Sequence, residues 1–472
     1  MEGRLDDAPH ERRGQPGLAA GAGGVLSEAL ETEEGEPPPP EADGVRSGGE
    51  RFGNPLVLPS VGGAKDNASA KDESVGCGTT PGPGLDLGAL FRGEDEGRGD
   101  SHVLPKRRGG HLYYRPHALH GTNVLRFASV AFDVVKSYAE AGVDIDAKQK
   151  QVEALVAALT FKRKGKGRPF GGIGAFTGSV AFGDHVLSLC TDSVGTKILV
   201  AAELGRWDTI GIDCVAMNAN DMITAGIEPV AFVDYVAVDR YDERIARQIG
   251  VGLNRGAEMA NLTIIGGEIA VVPEIVRGYD LAGTCLGVAR KKDVIDGRRL
   301  RAGDAIVGVT STGIHSNGLT LARRVFRDAG LVLDDGLPGA RVSVGEALLE
   351  PMAIYVRPVM KVVRRHAIHG MANITGGGLR NLVRLKKGLE FRITDPLVPP
   401  PVFRAIQELA GIADAEMYQT FNMGMGYAIV APENEASGIV RDLRPFAAKV
   451  VGEVARGTGA TLPAKGLAYT RY

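Results

Sequence analysis

From about residue 160 onward, short apolar runs pass repeatedly into helical ones through loops of glycine and small polar residues. The junctions read RPFGGIGAFTG (168–178), TDSVGTK (191–197), GGEIAVVPE (266–274), STGIHSNG (311–318) and NITGGGLRNL (373–382). A strand-length run that must turn into a helix needs backbone freedom at the corner. Glycine supplies it because it lacks the Cβ that disfavours positive φ. The alternation confines this part of the chain to α/β-type units, strands covered by the helices that follow them. It also gives the loops a chemistry, because free backbone N–H groups at the start of a helix favour an anion. There is no Walker A loop, and no G-x-G-x-x-G fingerprint with its strand and downstream acid, so an ordinary P-loop or Rossmann site is not expected.

The pattern predicts strands at Val186–Thr191, Ala231–Val238, Leu262–Ile265 and Leu281–Ala289. Helices are expected at Ile198–Gly205, Cys214–Ala225 and Arg244–Asn261, with an earlier one in the amphipathic stretch DAKQKQVEALVAALTF (146–161). Charge and turn residues in KKDVIDGRRLRAG (291–303) mark a boundary, after which the theme resumes with AIVGVT, STGIHSNG and LTLARRVF. Two domains are therefore expected, over 123–290 and 300–468.

Residues 1–115 differ. They contain 23 Gly and 11 Pro, with 13 basic against 20 acidic side chains, a net of −7. Lacking apolar periodicity, this segment cannot bury enough surface to offset the entropy of ordering it, and it reads as a disordered Gly/Pro-rich acidic tail. The other 357 residues carry 42 basic and 37 acidic side chains, a net of +5. Neither part has a basic patch interleaved with aromatics, so nucleic acid is not an expected partner. The four cysteines, Cys77, Cys190, Cys214 and Cys285, stand far apart with no C-x-x-C pair. They form neither a disulfide framework nor a zinc ribbon, and they suggest a reducing compartment. No stretch approaches the ~20 apolar residues of a membrane span. The N-terminus lacks a secretory core, so a soluble cytoplasmic protein is expected.

Several loop residues could carry chemistry. Asp192 follows an apolar strand at the end where ligands of α/β proteins gather, and a carboxylate there can hold Mg²⁺ or simply cap the next helix. Gly195 allows the turn, and Lys197 could neutralise a phosphate. The NAND segment, Asn218 to Asp221, sits in a helix that gains little from Asn and Asp, which indicates a polar task or a buried network. Asp213, Asp234 and Glu268 are further acidic candidates. His315, within a loop of anion-binding type, could touch phosphate or move a proton. Gly376, Gly377 and Gly378 permit close approach of a ligand or of another segment.

Taken together, YAEAGVDID, GGIGAF, TDSVGTK, DTIGIDCVAMNAND, GGE, STGIHSNG, NITGGG and MYQTFNMGMG resemble the phosphoribosylformylglycinamidine cyclo-ligase family, also called aminoimidazole ribonucleotide synthetases. The resemblance runs from about Tyr138 to the end and leaves the tail outside. It implies a two-domain α+β fold with α/β-type sandwich elements, paired through the N-terminal domains into a homodimer. It also implies ATP-dependent cyclisation of formylglycinamidine ribonucleotide (FGAM) in purine biosynthesis. Mg²⁺ would be held by Asp192 and Asp221. ATP would lie against Gly171, Gly172, Gly174, Gly195, Thr196 and Asn220, with Lys197 on its phosphates. His315, Ser316 and Asn317 would stand near the transferring phosphoryl group or the substrate, and Gly376, Gly377 and Gly378 near a phosphate. The chain departs from the family's usual wording at Ser193, Lys148, Gln149, Ile269 and Val271. A divergent relative acting on another substrate, or a nucleotide-binding regulator whose tail recruits partners, is the alternative.

Overall fold

The computed structural model describes residues 134–172 and 175–472. The acidic tail, Cys77, Gly174 and the start of the first expected domain lie outside them.

Two sheets organise the chain. The first has strands β1 (Pro169–Phe170), β2 (Gly178–Phe182), β3 (His185–Ser193), β4 (Glu228–Val238), β5 (Thr263–Val271) and β6 (Tyr279–Arg290), in the order β1-β2-β3-β6-β4-β5. Only β4 and β5 pair in parallel, through the crossover helix Glu243–Ala260. One face is covered by that helix and by Ile210–Met222, which is buried at nearly every position. The two helices cross closely because Gly211 has no side chain: a Cβ there would stand 2.1 Å from the Leu253 nitrogen.

The second sheet contains β7 (Asp304–Thr310), β8 (Gly370–Asn373), β9 (Leu389–Ile393), β10 (Met425–Pro432), β11 (Ala448–Arg456), β12 (Gly459–Leu462) and β13 (Leu467–Tyr469). Their order is β13-β12-β9-β11-β7-β10-β8. β7 and β10 are buried almost throughout, as expected for continuous apolar runs with both faces covered. Among the described residues, the first sheet is covered on one side only. Its other face leaves Leu189, Val233, Tyr235, Ile265 and Ile269 exposed.

Two expectations need correction. The strand expected at Leu262–Ile265 continues to Val271, so Glu268 lies within β5 and is exposed there, not in a loop after it. Gly267 lets β5 run against β4: a Cβ there would fall 2.6 Å from Asp234 Oδ1, whereas one on Gly266 would meet open space. The helix Ile145–Ala158 forms and is capped by Asp144, whose carboxylate accepts from the Ala147 N–H at 3.0 Å. It buries none of its residues, however, so its amphipathic spacing has no counterpart surface among the described residues.

Candidate active site

β3 ends at Asp192 and Ser193, and the helix Ile210–Met222 carries Asp221 in its last turn. Asn218, one turn earlier, ties the two elements together by donating to the Asp192 carbonyl at 3.3 Å and the Cys214 carbonyl at 2.9 Å. Asp192 Oδ1 accepts the Ser193 N–H at 2.8 Å. Asp221 Oδ1 accepts from Asn373 Nδ2, also at 2.8 Å, where β8 leads into the triple glycine. Burial pushes both carboxyls above their ordinary range. Asp221 rises to about 7, held back by the Asn373 bond and pushed further by the charge of Asp192. These are two like charges, offset only in part by the charges of Lys148 at Asp192 and Arg384 at Asp221. No group of three or more His, Cys, Asp or Glu gathers as a metal cage among the described residues. Two carboxylates suit Mg²⁺, which draws its remaining ligands from phosphates and water.

The STGIHSNG loop joins β7 to the helix Leu319–Asp328. His315 adopts φ 65° and is buried, and its Nε2 accepts the Thr312 N–H at 3.3 Å. Burial, aided by the charge of Lys197, pushes the imidazole down to about 3, so the ring is neutral. Since Nε2 accepts, the neutral ring carries its proton on Nδ1, which is buried without a partner among the described residues. Asn317 Nδ2 is likewise unpartnered. Ser316 is buried beside the Asp213 carboxylate. Asn422 braces the loop from behind. Its amide donates to the carbonyls of Gly313 (2.9 Å) and Ile314 (3.3 Å) and accepts from Ser311 Oγ and the Gly424 N–H, both at 2.9 Å.

The triple glycine meets this loop. A Cβ on Gly376 would stand 2.9 Å from Asn317 Oδ1, one on Gly377 2.7 Å from the Tyr472 ring, and one on Gly378 2.1 Å from the Tyr418 carbonyl oxygen. Of the two uses of triple glycine weighed from sequence, close approach of other segments of the chain is therefore realised here. Gly171 and Gly172, by contrast, face open space, and Gly195 turns the chain at φ 67°.

Lys197, Thr196 and Asn220 fall elsewhere than the phosphate role suggests. Lys197 Nζ lies 2.9 Å from both Asp213 oxygens, with both side chains 0% exposed, and it also donates to the Glu350 carbonyl. Asp213 Oδ1 accepts the Met352 N–H at 2.8 Å. Asn220, equally buried, donates to the Ala353 carbonyl (2.8 Å) and accepts the Tyr355 N–H (2.9 Å). Thr196 Oγ1 meets Thr320 Oγ1 at 3.0 Å. The fold thus uses Lys197 and Asn220 to fasten segment 350–355 onto the first sheet's helices. A phosphate could reach Lys197 only by opening a buried ion pair. Asn373 and Asn422 are the residues that sequence reasoning passed over. Their signal was an asparagine set between an apolar run and Gly-containing turns.

Two family models match: AIR synthase related protein, N-terminal domain, over residues 177–289, and AIR synthase related protein, C-terminal domain, over 301–465. The phosphoribosylformylglycinamidine cyclo-ligase of Methanosarcina mazei is 46% identical over 319 residues, which cover 67% of this chain and 94% of that protein. The enzyme of the same name from Methanocaldococcus jannaschii is 45% identical over 323 residues, covering 67% of this chain and 92% of that protein. With both halves matched in order and the motif loops meeting around Asp192, Asp221, Asn373 and His315, the chain belongs to the phosphoribosylformylglycinamidine cyclo-ligase family.

Proposed function

We propose that this chain closes the imidazole ring of aminoimidazole ribonucleotide from FGAM at the expense of ATP, using the loops around Asp192, Asp221 and His315. The observation that carries the reading is identity of about 45% across nearly the full length of relatives named for that reaction. The formamide oxygen of FGAM is a poor leaving group. Phosphoryl transfer from ATP makes it a good one, an amidine nitrogen attacks the activated carbon, and phosphate departs. The protein's share is alignment, charge neutralisation and exclusion of water.

Asp192 and Asp221 would hold Mg²⁺, which supplies charge neutralisation at the nucleotide phosphates. The carboxylate pair, offset only in part by Lys148 and Arg384, fits that cation. The open Gly171–Gly172 turn would lie beside the nucleotide. His315 Nδ1–H and Asn317 Nδ2, both without partners among the described residues, are donors suited to an oxyanion that gains charge during the reaction. The changes at Ile269 and Val271 fall in β5, and Ile269 faces the uncovered side of the sheet.

That uncovered side supports a homodimer formed through the first sheet, with Leu189 and Tyr235 at 52% and 44% exposure in one chain. No helix among the described residues is long and apolar enough to cross a membrane, and we place the enzyme in the cytoplasm. The purified protein should convert FGAM and Mg²⁺–ATP to aminoimidazole ribonucleotide with one ADP per product. ATP binding without any effect of FGAM would leave the family and remove this substrate.

A further inference from the structure

A cavity of about 330 Å³ opens beside the helix Leu319–Asp328, at the lower end of the size range of small-molecule sites. None of the residues assigned above to Mg²⁺, ATP or FGAM lines it. Its apolar side is made by Phe326, Leu331, Leu333 and Leu348, and its polar side by Arg323, Arg324 and Arg327.

The arginines are incompletely satisfied. Arg323 is half-buried and makes no hydrogen bond or ion pair with any described residue. Burial pushes its guanidinium down from the ordinary value, the charge of Glu203 opposes that fall, and Arg327 adds to it. Arg324 Nη1 donates to the Glu140 carbonyl at 3.0 Å, but its Nε is buried with no hydrogen bond, 3.6 Å from Asp328. Arg327 Nε lies at the same 3.6 Å from Asp328, beyond hydrogen-bond reach. Three positive charges and one negative one, Glu203, thus line a space with an apolar floor, and Asp328, outside the lining, lies 3.6 Å from two of the arginines.

Arg323 and Arg327 are four residues apart on the helix, so their side chains share one face and repel each other. A dianion between them relieves that repulsion, where a monoanion offsets only part of it, and the guanidinium fork is shaped for phosphate oxygens. We propose that this cavity is a binding site for a small phosphate monoester with an apolar body. The phosphate lies between Arg323 and Arg327, and the body rests on Phe326 and Leu333. Thr320, on the wall, bonds to Thr196 of the TDSVGTK loop and so connects the cavity to the first sheet. The proposal does not rest on the cyclisation reading.

The test uses the full chain and phenyl phosphate as the probe, titrated calorimetrically with saturating Mg²⁺–ATP present so that the nucleotide site is filled. Phenyl phosphate is expected to bind under these conditions. Arg323→Gln should weaken it about tenfold or more while leaving ATP affinity unchanged. Leu333→Trp, which fills the apolar side, should abolish binding while thermal melting stays cooperative. Benzoate and inorganic phosphate should both bind more weakly than phenyl phosphate. The proposal falls if ATP displaces the probe, if both variants bind it as the unaltered chain does, or if benzoate or inorganic phosphate matches it.

Discussion

Two pairs of charged side chains lie along the helix Ile210–Met222, and the protein treats them in opposite ways. At Asp213 it supplies Lys197, removes both from water, and bonds both to the backbone of segment 350–355. At Asp221 it supplies an asparagine and the charge of Arg384, which do not offset burial, and it leaves a second carboxylate, Asp192, close enough to raise the pKa further. The first arrangement is closed and builds structure. The second is incomplete, its two carboxyls only partly offset by Lys148 and Arg384. A buried charge that is matched holds elements together, and one left unmatched is held ready for a ligand.

Breaking the closed pair should have the largest effect. Lys197→Ala leaves Asp213 buried and unpaired, and urea denaturation should show a loss of about 3–5 kcal/mol. Replacing both partners together, Lys197→Met with Asp213→Leu, should cost much less than the single change. If Lys197→Ala abolished turnover with stability intact, Lys197 would return to the phosphates.

The open pair should respond in the reverse sense. The folded carboxyl of Asp221 rises from 3.8 to about 7, so between those values the folded chain keeps a proton that the unfolded chain has lost. Its contribution to stability therefore falls as pH rises through that window. Without Mg²⁺, Asp221→Asn should be more stable than the unaltered chain by roughly 4 kcal/mol at pH 8 and equal to it below about pH 4. Denaturation curves at the two pH values decide this, and a variant less stable at both would contradict the unmatched-charge reading.

His315 sharpens the contrast from the other side. It is held neutral, with a folded value of about 3, and its contribution to stability is lost as pH falls from 6.5 toward 3. Asparagine tolerates the left-handed backbone at this position. His315→Asn should therefore keep the fold and remove that part of the acid sensitivity. It should also keep more turnover than His315→Ala, because its amide can replace the Nδ1–H donor. Equal rates for the two variants would exclude that donor from the reaction. The smallest effect on chemistry is expected at the uncovered sheet face, where Leu189→Glu should turn a dimer into a monomer by light scattering.

The elements were legible because their period is local. The apolar runs that became β3, β4 and β7, and the glycines at the corners, announced strand–loop–helix units without help from the rest of the chain. The carboxylates Asp192 and Asp221 were equally visible as acids placed beside strand and helix ends. The bonds of Lys197 and Asn220 were not legible because nothing in TDSVGTK or NAND shows that segment 350–355 crosses nearby and claims them. Asn373 and Asn422 escaped for the same reason: their partners are Asp221 and the STGIHSNG loop, remote in sequence. The continuation of β5 through GGEIAVV was hidden because two glycines read as a loop until a neighbouring strand approaches them.

The most direct test is ADP release with FGAM present and absent, measured across a Mg²⁺ titration for the unaltered chain and for Asp192→Asn. The expected result is FGAM-dependent ADP formation, matched one for one by aminoimidazole ribonucleotide. The variant should be slower by about a hundredfold or more and should require more Mg²⁺. ADP release indifferent to FGAM, or an Asp192→Asn enzyme with an unchanged rate and Mg²⁺ requirement, would contradict the account.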